Sequence, residues 1–219
     1  MSLKHEKLSA VVAIATRDGR LSPEVRDIGN WAKAAVQVVG CSDVARARAR
    51  QLSRAVEVSM NAEAEWIVLL DDDMAVEREN VERMIQLAGT DRVCFARYCD
   101  HTGKAMYTKL PGLGFLAGLG AWVTRAGNLR KLYEVSTIVH EPEGGPMREM
   151  TCSSARYVEA EKVHRWFSED YELSRRLNIM GVSLVPGPIV GHYKRVRVYL
   201  NSGDSSGLVE EPDEEHPNG

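Results

Sequence analysis

The run Trp66–Leu70 is apolar throughout and ends directly in three aspartates, Asp71, Asp72 and Asp73. A short continuous apolar run is typical of a strand that is buried on both faces of a parallel sheet. Adjacent carboxylates repel one another and raise each other's pKa unless a positive charge lies against them, and a hard divalent cation is a common partner. Since ligands of open α/β sheets bind outside the carboxyl ends of the strands, the run indicates either a ligand site or a solvated acidic turn.

Strands and helices are expected to alternate around this run. Short apolar segments predict four strands before residue 100, at Val11–Ala15, Val36–Gly40, Trp66–Leu70 and Arg92–Tyr98. Capping residues and apolar stripes predict three helices between them: one from Ser22 and Pro23, one from Ser42 or Asp43 to about Met60, and one over Glu77–Ala88. This order predicts an α/β fold with a mostly parallel, Rossmann-like central sheet flanked by helices.

The chain changes character after residue 100. The segment from Asp100 to about Gly127 is rich in glycine, and Gly118-Leu119-Gly120 would admit either a ligand or a closely packed neighbouring strand. A short helix is expected over Ala126–Val135. Glu141–Arg165 is expected to be an irregular loop and is a candidate lid.

The last third of the chain predicts one more helix and strand. Ser168 is expected to cap a helix that runs to about Met180, and Val182–Pro186 is expected to be the final strand. We expect a single domain over residues 1–200. The acidic stretch Glu210–Glu215 predicts that residues 201–219 form a disordered tail.

Composition excludes several classes of function. A hydrophobic content of 44% is enough for a packed core, and a net charge of −3 offers no basic surface for nucleic acid. No apolar run reaches the roughly 18 residues of a membrane span, and the polar N-terminus does not resemble a signal peptide. The four cysteines form no Cys-x-x-Cys pair, which favours reduced thiols and a cytoplasmic location.

Two further sites carry candidate chemistry. Glu169 and Asp170 fall in the first turn of the helix that Ser168 begins, where carboxylates either cap the helix or serve as a general base. His192 ends an apolar segment about twenty residues later. It is either a structural histidine or the imidazole that completes a carboxylate site for Mn²⁺.

In this order, the features resemble a GT-A glycosyltransferase of the family 2 kind. The similar parts are a first strand ending in Ala15-Thr16-Arg17, the helical pair Ala47-Arg48, an Asp-x-Asp motif at Asp71–Asp73, Gly118–Gly120, Glu169-Asp170 and Gly191-His192. The resemblance covers residues 8 to 197. Each motif alone is weak, and their order and spacing make the resemblance more specific.

The resemblance implies a donor site for a nucleotide-diphosphate sugar, UDP- or GDP-linked. Thr16 and Arg17 would face the base and ribose, and Arg48 would either approach the nucleotide or brace the acidic run. Asp71 would contact ribose or metal. The implied nucleotide-sugar-binding residues are Thr16, Arg17, Arg48, Asp71, Asp72, Gly118, Leu119 and Gly120.

The resemblance also implies the catalytic parts. Asp71, Asp73 and His192 would hold Mn²⁺ or Mg²⁺ against the diphosphate. Asp170 would deprotonate an acceptor hydroxyl in an inverting reaction, with Glu169 assisting acceptor binding. A retaining outcome, in which Asp170 only binds, stays open.

Three other functions remain as alternatives. A nucleotidyltransferase would use a similar sheet, but Thr16–Gly19 is not a glycine-rich phosphate loop with a basic residue. A non-catalytic nucleotide-sugar-binding protein would keep Asp71 and Asp73 without needing Asp170. A purely structural domain would place all these carboxylates at caps and on the surface.

Overall fold

The computed structural model describes residues 7–39, 44–99, 103–141, 145–158, 162–193, 198–199 and 208–209. Its helices are α1 Pro23–Trp31, α2 Val44–Asn61, α3 Arg78–Ala88, α4 Ala126–Val135 and α5 Glu169–Ile179. Its longer strands are β1 Leu8–Thr16, β2 Ala32–Val39, β3 Trp66–Asp71, β5 Arg92–Arg97, β8 Ala121–Arg125 and β13 Ser183–Ile189. Shorter strands are β4 Met74–Ala75, β6 Tyr107–Leu110, β7 Gly114–Ala117, β9 Ile138–Glu141, β10 Gly145–Arg148, β11 Ser154–Val158, β12 Val163–Phe167, β14 Gly191–His192, β15 Val198–Tyr199 and β16 Leu208–Val209.

The six longer strands form one sheet in the order β13-β5-β8-β3-β1-β2. Strand β1 pairs in parallel with β2 and β3, and β13 pairs in parallel with β5. Strand β8 runs antiparallel between β3 and β5. The predicted fold class is therefore confirmed: the chain is a mixed α/β domain with a mostly parallel central sheet.

Helices cover both faces of this sheet because side chains alternate along each buried strand. In β3, Val68 and Leu70 join one apolar cluster together with residues of α1 and α3. Ile67 and Leu69 point the other way, into a second cluster that includes residues of α2, α4 and α5. The continuous apolar run predicted this two-sided burial.

The predicted helix starts are confirmed where the structure describes them. The hydroxyl of Ser22 accepts a hydrogen bond from Val25 N at 3.3 Å, and Pro23 is the first residue of α1. Helix α4 has the predicted bounds. Strand β2 begins about four residues earlier than expected, since Ala32 caps α1 in extended backbone and continues directly into the strand. The predicted caps Ser42 and Asp43 lie outside the described residues.

The expectation of an irregular loop over Glu141–Arg165 is wrong for the described part of that segment. It contains two antiparallel hairpins, β9–β10 and β11–β12. The main chain between the hairpins is held by α5, because the guanidinium of Arg176 donates to the carbonyl oxygens of Glu149 and Met150 at 3.2 and 3.1 Å. Arg148 N also donates to the hydroxyl of Ser53 on α2. Sequence periodicity misses such short strands because each spans only four or five residues.

The expectations about the acidic tail, membrane spans and cysteines can be compared with the described residues only. Apart from Leu208–Val209, which pairs with β15, the predicted acidic tail at 201–219 lies outside the described residues. Within the described ranges, no helix is both long enough and apolar enough to cross a membrane. Cys94, Cys99 and Cys152 are free thiols, as expected, and Cys41 is not among the described residues.

Candidate active site

The acidic run begins where β3 ends. Asp71 is the last residue of β3, while Asp72 and Asp73 form the turn that leads into β4. Asp71 and Asp73, two positions apart, would share one side of an extended strand, but the backbone turns here and is not extended. The three carboxylates therefore meet three different sets of partners.

Asp71 is held by Arg48 of helix α2. Both terminal nitrogens of the guanidinium donate to the carboxylate, NH1 to Oδ1 and NH2 to Oδ2, the latter at 2.7 Å. This two-pronged geometry is the strongest arrangement of an arginine with a carboxylate. This contact corresponds to the bracing role that the resemblance implied for Arg48, and its approach to a nucleotide stays a prediction.

The same guanidinium also faces Asp170 of helix α5. Nε of Arg48 lies 3.4 Å from Oδ1 of Asp170, which makes an ion pair, although neither atom makes a hydrogen bond. Arg48 is 6% exposed and Asp170 is 9% exposed. Arg48 thus brings together two carboxylates that are 99 positions apart in the sequence, Asp71 and Asp170.

Charge and burial set the protonation of these groups. Burial alone would lower the pKa of Arg48, but Asp71 and Asp170 outweigh it and raise that pKa above its ordinary value. Burial raises the pKa of Asp170 to about 6, against the opposing pull of Arg48, with Glu169 and Asp71 adding to the increase. The pKa of Asp170 therefore lies close to neutral pH.

Asp170 is more than a helix cap. Its Oδ2 accepts a hydrogen bond from Leu119 N at 3.1 Å, across the interface between α5 and the glycine-rich segment. Ser168 occupies the N-cap position but makes no side-chain capping hydrogen bond. The alternative in which Asp170 serves only to cap α5 is therefore not supported.

Glu169 points to a different neighbourhood. Its Oε2 accepts a hydrogen bond from the hydroxyl of Ser153 at 3.2 Å, and its carbonyl oxygen accepts one from the hydroxyl of Thr151. These contacts tie the start of α5 to the segment that precedes β11. Glu169 is half-buried, so it lies beside Asp170 without sharing its enclosed environment.

Asp73 and His192 meet on the other side of the turn. Nε2 of His192 lies 3.2 Å from Oδ2 of Asp73, and its Nδ1 lies 3.3 Å from the carbonyl oxygen of Cys99. The hydrogen bond to Asp73 raises the pKa of His192 despite partial burial. The backbone reinforces the pair, since β14 lies against β4 and Tyr193 N donates to Asp73 O at 2.8 Å.

The remaining nucleotide candidates lie at the end of β1. Thr16 is buried, and its hydroxyl closes its own turn by donating to Arg20 O and accepting from Gly19 N. Arg17 is exposed, and its backbone N donates weakly to Oδ2 of Asp72 at 3.4 Å. Asp72 is itself buried, and this hydrogen bond links the ends of β1 and β3.

Gly118 and Gly120 pack against Tyr98, which sequence reasoning did not select. A Cβ atom on Gly120 would lie 2.5 Å from the Tyr98 ring, and one on Gly118 would lie 2.7 Å from its hydroxyl. The hydroxyl of Tyr98 accepts a hydrogen bond from Gly120 N at 2.9 Å. These glycines therefore pack against a side chain, not against a neighbouring strand as the alternative expected, and contact with a donor sugar stays a prediction.

Gln51 is a second residue that sequence reasoning missed. Its side chain is fully buried, and its amide nitrogen donates to the carbonyl oxygens of Ala13 and Leu70 at 2.8 and 3.1 Å. Its amide oxygen accepts a hydrogen bond from Arg48. Gln51 follows Arg48 by three positions, so the two share one helix face, and that spacing was the signal in the sequence.

The residues proposed for a metal ion have different partners in the structure. Among the described residues, no group of three or more His, Cys, Asp or Glu side chains could share one metal ion. Arg48 occupies both oxygens of Asp71, which leaves Asp73 and His192 as a carboxylate and imidazole pair. Such a pair fits Mn²⁺ or Mg²⁺ only if a ligand supplies further oxygens.

Two surface grooves lie away from these carboxylates. One, of about 370 Å³, runs between the edge strand β2, helix α2 and strand β10. The other, of about 350 Å³, lies between the starts of α1 and α3. Neither groove is lined by Asp71, Asp170 or His192, so the candidate site is defined by the contacts of these side chains and not by a groove.

Comparisons with known proteins support the fold and no more. No protein-family model and no curated protein matches the chain. Among solved structures, it is similar to A197 from STIV, with a TM-score of 0.50 and 15% identity over 86% of this chain and 87% of that one. It is also similar to CMP:2-keto-3-deoxy-manno-octonic acid synthetase complexed with CTP, with a TM-score of 0.38 and 12% identity over 83% and 92% of the two chains. The first likeness shows a shared fold.

Proposed function

We propose that this protein is a glycosyltransferase that moves a sugar from a nucleotide-diphosphate donor to an acceptor hydroxyl. The observation that carries the proposal is the meeting of Asp71 and Asp170 on the guanidinium of Arg48. Asp71 ends a central strand at the edge where α/β sheets bind ligands, and Asp170 begins the helix beside it. This enclosed acidic pair suits a donor site next to a general base.

Asp170 is the proposed base. In an inverting transfer, the acceptor oxygen attacks the anomeric carbon while the bond from that carbon to the diphosphate breaks and its electron pair leaves with the diphosphate. The acceptor proton passes to Asp170. Its pKa of about 6 keeps it ionised at neutral pH and still basic enough to accept a proton. Its Oδ1 receives no hydrogen bond from the described residues and lies 3.4 Å from Nε of Arg48.

Arg48 supports this chemistry from behind the two carboxylates. It fixes Asp71 at two points and offsets part of the repulsion between Asp71 and Asp170. Gln51 holds the guanidinium and also joins the main chains of β1 and β3. The base therefore sits in a prearranged electrostatic environment, which costs no reorganisation during the reaction.

Asp73 and His192 are the proposed holders of Mn²⁺ or Mg²⁺. Their carboxylate and imidazole suit either ion once donor phosphates add oxygen ligands, although Asp71 is engaged by Arg48. A bound divalent ion would neutralise the charge that develops on the departing nucleoside diphosphate. The exposed Arg17, at the end of β1, is the nearby residue that we propose for contact with the nucleotide.

Thermal stabilisation by nucleotides tests the donor site. UDP, GDP, CMP and dTDP are each added with Mn²⁺ or with EDTA to the wild type, to Asp73→Ala and to the control Asp91→Ala, whose carboxylate is 81% exposed. A nucleotide at about 100 times its dissociation constant adds about 2.7 kcal/mol of stability. We expect one nucleotide to stabilise the wild type and the control only with metal, and to lose that effect in Asp73→Ala. No stabilisation by any nucleotide would reject the donor site.

Product analysis with the sugar nucleotides of the bound base then separates the alternatives. Release of nucleoside diphosphate together with glycosylation of an added acceptor supports the glycosyltransferase. Formation or cleavage of the nucleotide-sugar bond with pyrophosphate supports a nucleotidyltransferase. Nucleotide binding without turnover, both in the wild type and in Asp170→Asn, supports a binding protein.

A further inference from the structure

The segment Gly118–Gly120, here called the glycine strap, makes main-chain hydrogen bonds to the carboxylate of Asp170 and to the backbone of Asp71. Leu119 N donates to Oδ2 of Asp170 at 3.1 Å. One residue further, Gly120 O accepts a hydrogen bond from Asp71 N at 2.8 Å. The position of the strap therefore determines where Asp170 and the start of the acidic run lie relative to each other.

Tyr98 fixes the opposite side of the strap. Its hydroxyl accepts a hydrogen bond from Gly120 N at 2.9 Å. Its ring leaves no room for a Cβ atom at Gly120, and its hydroxyl leaves none at Gly118. The strap is thus enclosed between a rigid aromatic side chain and two acidic partners, and glycine is required for so close an approach.

The hydroxyl of Tyr98 is a neutral and immobile group. Tyr98 is 7% exposed, and burial raises the pKa of its hydroxyl, with the negative charges of Asp71 and Asp170 adding to the increase. The ring also meets His192 edge-on, with centroids 5.5 Å apart. A phenylalanine would fill the same apolar space, so the hydroxyl contributes something other than volume: it satisfies Gly120 N, which is otherwise buried without an acceptor.

We propose that Tyr98 is a positioning residue for the proposed reaction. Its hydroxyl and ring hold the glycine strap at the height where Leu119 N reaches Asp170 and Gly120 O accepts from Asp71. Tyr98 touches neither donor nor acceptor in this role and acts through the strap. The contribution to rate rests on the proposed function, whereas the contribution to strap position does not.

Amide hydrogen exchange of Tyr98→Phe tests the positioning directly. In this variant Gly120 N loses its acceptor, but Leu119 N and Asp71 N keep theirs. We expect exchange at Leu119 and Asp71 to accelerate about tenfold relative to the amides of β1, because loss of one buried hydrogen bond loosens the whole strap. Acceleration confined to Gly120 would overturn the proposal. The control is Tyr133→Phe, which removes a hydroxyl bonded to Glu57 away from the site and leaves the strap amides unchanged.

Steady-state kinetics supply a second measurement, and a merely structural role of Tyr98 would not change it as follows. We expect kcat of Tyr98→Phe to fall about tenfold while KM for the nucleotide sugar changes less than about twofold, because the strap orients the base and not the nucleotide. Equal kcat in Tyr98→Phe and Tyr133→Phe would overturn the effect on rate. Absence of turnover in the wild type would reject the proposed function, and the exchange measurement alone would then decide the role of Tyr98 in strap position.

Discussion

Arg48 and Asp71 form a partly buried two-pronged ion pair that joins the end of a central strand to the helix packed behind it. The guanidinium neutralises the negative charge of Asp71, and its Nε faces the carboxylate of Asp170. Removal of the buried cation would be strongly destabilising, because it would leave two neighbouring carboxylates without a compensating charge. The arrangement makes Arg48 the electrostatic centre of the candidate site.

Replacing Arg48 is therefore expected to cost stability as well as activity. Arg48→Met should lower the free energy of unfolding by about 3–5 kcal/mol, because the buried Asp170 and the half-buried Asp71 would lose their shared cation. Denaturant unfolding measures this change. The matched control is Arg54→Ala on the same helix, whose side chain is 63% exposed, and its effect should stay within about 0.5 kcal/mol. Similar losses in both variants would contradict the central role of Arg48.

Asp170→Asn separates catalysis from folding. We expect turnover to fall by about 10²–10⁴-fold, since the amide cannot accept the acceptor proton, while nucleotide-induced stabilisation persists. Stability at pH 7 should be equal or higher, because the folded state raises the pKa of Asp170 to about 6 and so disfavours its charged form. A large loss of stability with unchanged turnover would show that Asp170 is structural.

The pH dependence of wild-type turnover should follow Asp170. The rate should rise with pH through about 6 as the carboxyl loses its proton, and level off above that value. Stability should change in the opposite sense. Since the folded state binds the proton more tightly than the unfolded state does, this group favours folding below its unfolded pKa of about 3.9, and that advantage is lost as the pH rises through 6. Steady-state kinetics between pH 5 and 8 would show the expected rise, and a flat profile would exclude Asp170 as the base.

Gly120→Ala tests how closely the glycine strap is packed. Its Cβ atom would lie 2.5 Å from the Tyr98 ring, so the variant should lose about 1–3 kcal/mol of stability. Gly127→Ala is the control, since its Cβ meets no atom within 4 Å in helix α4 and should raise stability by about 0.5–1 kcal/mol. Thermal unfolding compares the two, and a harmless Gly120→Ala would show that the strap is loose.

The sequence could predict the sheet because its buried strands are continuous apolar runs with clear ends. It could also select Asp71 and Asp170, since carboxylates at a strand end and at a helix start occupy places where ligands bind. The partners of these groups depend on tertiary contacts. Nothing local in the sequence pairs Arg48 with both carboxylates. Nothing in the sequence distinguishes Tyr98 from an ordinary core residue either.

The turn after Asp71 shows another limit of sequence reasoning. In extended backbone, a spacing of two would put Asp71 and Asp73 on one side, but the chain turns at Asp72 and Asp73 lies against His192. The turn is set by what surrounds Asp72, whose carbonyl oxygen accepts from Ser22 N at 2.8 Å. A contact across fifty positions fixed the outcome, and spacing within the motif could not reveal it.

The single antiparallel strand of the sheet bears on how the protein is made. Because β8 lies between β3 and β5, the sheet cannot join those two strands until residues 121–125 have left the ribosome. Until then the nascent chain carries two apolar strands with open edges, the kind of surface on which chains associate wrongly. Insertion of β8 closes both edges and places the glycine strap beside the end of β3. The sheet and the acidic site are completed later still, because β13 and Asp170 follow β8 in the chain.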